Sequence, residues 1–131
     1  MSMVLASLAL QAVPARVPVP APAHSAEVKR EIVVIGRQME NWKGGVTKEA
    51  GRMVCRTSQS SGDKALDAIR CGAMLSCMKP LEPRIDALMA SDRSRREKRD
   101  GFDALVKGIE PCLEDYSDKA IARLAEQRAG A

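Results

Sequence analysis

Apolar positions form an unbroken β-branched run near residue 32 and a helical rhythm from residue 66 onward. Residues 31–37 (EIVVIGR) place Ile32, Val33, Val34 and Ile35 in succession between charged residues and Gly36. That pattern predicts a short strand. Residues 53–57 (MVCRT) predict a second one. The segment between them, NWKGGVTKEAG, is rich in Gly and polar residues and reads as a turn region, from which Trp42 and Val46 fold back. An antiparallel pair is the simplest arrangement, and a two-stranded hairpin needs something packed on it to persist.

Residues 58–62 (SQSSG) read as a loop, and Asp63 is placed to N-cap a helix by accepting a bond from a first-turn amide. Leu66, Ile69, Ala73 and Cys77 then recur along one helical face, widened by Leu75 and Met78. Pro80 and Pro83 close this helix and open the next, since proline fits a first turn. The second helix carries Leu81, Ile85, Leu88 and Met89. Residues 92–100 (DRSRREKRD) hold no apolar group. Periodicity resumes at Phe102, Leu105, Val106 and Ile109 and continues through Leu113, Ile121 and Leu124. Two helices with a reversal in the polar run, near residue 99 and Gly101, account for this; one long helix is the alternative. Pro111 either kinks the last helix or starts a new one.

Residues 3–13 (MVLASLALQAV) have the length of a signal-peptide h-region. As a helix they span roughly 16 Å, about half a bilayer, so no stable membrane span is expected. Pro14, Pro18, Pro20 and Pro22 make the following stretch extended. Small residues offer cleavage after Ala23 or after Ala26. No Lys or Arg precedes residue 3, a departure from the usual positive n-region. Residues 1–26 therefore read as signal peptide and Pro-rich leader, and residues 27–131 as a single domain. The expected location is periplasmic or secreted.

Trp42, Phe102 and Tyr116 are the only aromatic residues. A core built without them is thin, and disulfides or a partner are the usual remedies. The net charge is +4. Arg16 is the only charged residue before Glu27, which leaves 20 Lys and Arg against 17 Asp and Glu in the domain, a net +3. So mild an excess, with no aromatic stacking platform, excludes nucleic acid as the natural partner.

Cys55, Cys71, Cys77 and Cys112 allow three pairings. Cys71 and Cys77 fall on one helix, about 240° apart around it with a rise near 9 Å. Disulfide Cα atoms must come within about 7 Å, which sets aside that pair and its complement. Cys55–Cys71 with Cys77–Cys112, and Cys55–Cys77 with Cys71–Cys112, remain. A reversal near residue 99 returns Cys112 to the start of the second helix, beside Cys77. A single helix through the polar run would leave it about 40 Å away. The first scheme is favoured. Metal or redox chemistry is the other use of cysteines, and no C-x-x-C is present.

Catalytic constellations are scarce. The only histidine is His24, in the leader, so no Ser-His-Asp or Cys-His arrangement is available. Gly44-Gly45 lacks the context of a phosphate loop. Asp63 with Asp67, and Asp115 with Asp118, are ordinary helix-surface spacings. No cofactor, metal site or catalytic residue is assigned. Arg93, Arg95, Arg96, Lys98 and Arg99 form the strongest charge feature, with Asp92, Glu97 and Asp100 reducing it to +2. It suits an anionic or acidic partner, and a solvated helix end is its plain alternative.

Two resemblances bear on function. EIVVIG is similar to the TonB box, by which outer-membrane receptors engage the TonB protein, and implies a strand that augments a partner's sheet. It serves equally as the first strand of a local hairpin. The leader, EIVVIGR followed by Trp42, and CRTSQSSGDKALDAIRCGAM with Cys77 together resemble small uncharacterised exported proteins of alphaproteobacteria with four cysteines. That resemblance implies periplasmic residence and no particular activity. The expected protein is α+β: a small N-terminal β-hairpin on a three-helix, mostly antiparallel arrangement, stapled by two disulfides. The expected role is non-enzymatic, structural or protein-binding. The alternative is an enzyme accessory or regulator acting through the helix end at residues 93–99.

Overall fold

The computed structural model describes residues 25–130. The h-region, the proline stretch up to residue 24, His24 and the cleavage point after Ala23 lie outside the described residues.

The first element is a helix, α1 (Ala26–Met39), and this corrects the expected strand at residues 31–37. Ser25 caps it, its Oγ accepting a bond from the Val28 amide at 3.2 Å, and Glu27 sits in its first turn. Val28, Ile35 and Met39 are buried and Ile32 half-buried, one stripe at helical spacing. Val33 and Val34 lie off that stripe and stay 52% and 57% exposed. The β-branched run misled because propensity is a weak prior, and burying a full helical stripe outweighs it. A helical segment presents no free strand edge, so the TonB-box likeness has no structural counterpart here.

The hairpin consists of β1 (Lys43–Glu49) and β2 (Arg52–Gln59), antiparallel, with Glu49 opposite Arg52 and Val46 opposite Cys55. The segment expected to be a turn is thus largely a strand. Its glycines misled: Gly44 serves a close approach rather than a bend. A Cβ at Gly44 would collide with the Trp42 ring and the Arg56 carbonyl. Trp42 lies over this position and donates from Nε1 to Thr57 Oγ1 at 2.9 Å. The reversal falls at Ala50 and Gly51, with φ of +50° and +77°. Positive φ at both central residues matches the twist of a two-residue hairpin.

Helix α2 (Lys64–Met78) begins at the cap Asp63, whose carboxylate accepts from the Ala65 amide at 2.9 Å. A short 3₁₀ turn, Lys79–Leu81, leads into α3 (Glu82–Ala90), where Pro83 occupies the first turn. Helices α4 (Arg95–Gly108) and α5 (Glu110–Ala129) follow, separated at Ile109, with Pro111 inside the first turn of α5.

Two apolar clusters share α2. At its N-terminal end, Leu66 meets Val28, Ile35 and Met39 of α1 and Ala125 of α5. At its C-terminal end, Cys77 and Met78 meet Ile85 and Ile109, with Val46 and Met53 of the hairpin and Phe102, Leu105 and Leu113 around them. One disulfide joins the hairpin to α2 and the other reinforces the second cluster. Cys55 bonds Cys71, tying β2 to α2 with Cα atoms 5.5 Å apart. Cys77 bonds Cys112, tying the end of α2 to the start of α5 with Cα atoms 5.8 Å apart. The architecture is α+β, with a helix preceding the hairpin and four more following it.

Candidate functional site

The reversal lies at the start of the polar run and not near residue 99. Chain direction changes earlier, at residues 91–94, and α4 starts at Arg95. Ser94 decides this as the N-cap, with the Glu97 side chain bonded to its hydroxyl. The Glu97 amide donates to Ser94 Oγ at 3.1 Å, and that hydroxyl meets the Glu97 carboxylate at 3.0 Å. On the other side, Ser91 Oγ donates to the Leu88 carbonyl at 2.6 Å and stops α3. The run is therefore the exposed opening of a helix, and Gly101 lies inside it. A Cβ at Gly101 would stand 3.0 Å from the Leu88 side chain, close enough that the leucine would have to shift. This close approach seats α4 against α3.

The five cations expected to form a site divide between two roles. Lys98 donates to the Met89 carbonyl at 2.9 Å and is half-buried, so it fastens the two helices together. Arg93, Arg95, Arg96 and Arg99 are exposed at this corner. Among the described residues none of the four forms an ion pair with a carboxylate. Arg95 and Arg96 also occupy the first turn of α4, where the helix dipole disfavours positive charge.

Arg84 joins them from α3, also exposed and unpaired. In the sequence it stands alone after Pro83, eight residues before the run begins at Asp92. The signal was present in its spacing: Arg84, Ala87, Leu88 and Ser91 share one helical face. That face and α4 enclose a groove of about 370 Å³, lined by Arg84, Ala87, Leu88, Ser91, Arg93, Gly101 and Leu105. Its lining holds two guanidinium groups, four apolar residues or glycine in its floor, and no carboxylate.

A smaller cavity of about 170 Å³ lies beneath the hairpin, among Val46, Met53, Met78, Ile85, Met89 and Phe102. Lys48 stands at its edge, 2.7 Å from Glu82 and 3.0 Å from Asp86. Hydrogen bonds to Glu82 and then Asp86 raise the Lys48 pKa above its ordinary value. The ammonium is thereby held charged, the opposite of what a nucleophilic lysine needs.

The paired acids are likewise engaged in structure. Asp63 caps α2 and pairs with Arg128 of α5; the Arg128 hydrogen bond holds its carboxyl below the usual range. Asp67 accepts from Ser60 Oγ, Ser61 Oγ and the Ser61 amide, and these bonds, that from Ser60 foremost, lower its pKa too. Asp115 pairs with Lys119 one turn away on α5. A general acid needs a raised pKa near working pH, so neither Asp63 nor Asp67 fits that role. All four cysteines are in disulfides. Among the described residues no helix is long and apolar enough to cross a membrane, and no group of His, Cys, Asp and Glu is placed to hold a metal ion.

Comparison with protein-family models, with curated proteins and with solved structures yields no match.

Proposed function

We propose that this protein is a non-enzymatic exported module, working in the periplasm or outside the cell by binding another protein. The observation that carries the reading is the exposed surface of α3 and the opening of α4, where Arg84, Arg93, Arg95, Arg96 and Arg99 have no carboxylate partner among the described residues. Four cations are used internally: Lys48 with Glu82 and Asp86, Arg56 with Glu49, Lys119 with Asp115, and Arg128 with Asp63. A run of exposed, unpaired cations is available to acids on another molecule. Two disulfides support an oxidising compartment, where such bonds persist, and the apolar stretch at residues 3–13 supports export.

Two measurements test this. Intact mass of protein isolated from its natural host is expected to lack the leader and the four thiol hydrogens; four free thiols would overturn the exported reading. The oxidised domain, used as bait in periplasmic extract, is expected to retain a partner that elutes with salt. A bait carrying Arg93→Gln, Arg95→Gln, Arg96→Gln and Arg99→Gln is expected to lose it. Equal retention by both baits would remove the arginine corner from the function.

A further inference from the structure

We infer that the groove between α3 and α4 is a docking site for an acidic segment of a partner protein, which seats one aliphatic side chain on Leu88 and Leu105 between Arg84 and Arg93. This rests on the protein-binding reading above and adds the chemistry of the partner.

Charge complementarity selects the occupant. The groove lining carries two unpaired guanidinium groups and no carboxylate. Arg84 comes from the first turn of α3 and Arg93 from the turn after it, so they belong to opposite ends of one helix. Leu88, paired with Gly101, and Leu105 form the floor between them. A segment with acids on both sides of an aliphatic residue matches that order of cation, apolar floor and cation. Planar guanidinium groups suit carboxylates, which they can bind through two parallel hydrogen bonds.

The apolar floor separates this occupant from a simple anion. A phosphate or sulfate would satisfy the arginines but leave Leu88 and Leu105 wet. An aliphatic side chain covers them and excludes water around the ion pairs, which strengthens both. Beyond the groove, Arg95, Arg96 and Arg99 extend the positive field and steer an acidic chain toward it. Acids arriving there would also relieve the unfavourable placement of Arg95 and Arg96 at the start of α4.

The probe is the synthetic peptide EELEE, capped at both ends, with EESEE and KKLKK as controls. Amide resonances of the uniformly ¹⁵N-labelled oxidised domain report where it binds. EELEE is expected to shift Ala87, Leu88 and Gly101, and to weaken at least about threefold as salt rises from about 0.05 M to about 0.5 M. EESEE is expected to bind at least about fivefold more weakly, because it lacks the side chain that covers the floor. KKLKK is expected to leave the groove unmoved.

Ala87→Glu, at an exposed helical position, places a carboxylate in the groove and is expected to abolish EELEE binding while the rest of the spectrum stays folded. Equal binding of EELEE and EESEE, shifts confined to other faces, or full binding to Ala87→Glu would each overturn the docking site. The two readings also fail separately. A host partner retained equally by wild-type and Ala87→Glu baits overturns this groove and leaves protein binding standing. A partner lost only from the Ala87→Glu bait supports both.

Discussion

Arg128, in the last turn of α5, ion-pairs with Asp63, the residue that caps α2 sixty-five positions earlier. One carboxylate thus closes the start of one helix and holds the end of another. The Asp67 cluster lies beside it, with Ser60 and Ser61 bonded to the carboxylate, and Gln38 of α1 donates to the Ser61 carbonyl at 3.3 Å. Three helices meet through this short loop.

Acid is expected to weaken this junction first. Asp63 and Asp67 both have folded-state pKa values below their ordinary ones. Each contributes stability that is fully present above the unfolded value, about 4, and is lost as pH falls through the depressed folded value. Urea midpoints measured at pH 7 and at successively lower pH below 4 should fall. Asp63→Asn keeps a capping side chain and removes the charge, so its midpoint should fall less over the same range. In Arg128→Gln, titration followed by NMR should show the Asp63 carboxyl returning toward its ordinary value.

Ala50 is the one described residue other than glycine with positive φ. A side chain there strains the left-handed backbone, and glycine does not. Ala50→Gly should stabilise the domain by about 0.5–1 kcal/mol, read from chemical denaturation followed by circular dichroism. A loss of stability would show that the hairpin turns in another way.

Gly44→Ala is expected to act in the opposite sense. The new methyl group would meet the Trp42 ring and the Arg56 carbonyl on two sides. Moving both apart should cost about 1–3 kcal/mol. Trp42 is the only tryptophan, so its fluorescence should shift directly as its bond to Thr57 is lost.

The two disulfides should contribute unequally. Cys77–Cys112 closes a separation of 35 residues and Cys55–Cys71 one of 16. Loop-closure entropy then gives about 4 kcal/mol for the first and about 3 kcal/mol for the second. Cys77 is also buried, so Cys77→Ala with Cys112→Ala loses packing in the second cluster as well. Urea denaturation of the two double-alanine variants should rank them in that order.

Helices α2 and α3 were legible because local and periodic signals agree there. Asp63 caps, Leu66, Ile69, Ala73 and Cys77 repeat at helical spacing, and Pro80 and Pro83 punctuate the junction. At residues 31–37 four β-branched residues in a row satisfy a strand pattern, while half of them belong to a helical stripe that only Leu66 and Ala125 reveal. At residues 43–49 glycine signals a turn unless a neighbouring ring must lie against the backbone, and Trp42 does so. The charged run masks the signal that sets the reversal at residues 91–94: Ser94 as N-cap with Glu97 three residues on, a pattern present in the sequence. At the candidate site, the arginines of the run were visible as a block. Arg84 was not, since its neighbours in space lie on another helix.

The order of elements from α2 onward, the thin aliphatic core and the restricted choice of cysteine pairings follow from the sequence itself, because spacing along a helix constrains directions and distances before any packing is known. Tertiary structure decided which residues make α1 and β1 and which cations stay free. Those outcomes depend on competition among distant groups. A stripe becomes a helix when another element covers it, and an arginine becomes available to a partner only when no carboxylate of its own chain comes within reach.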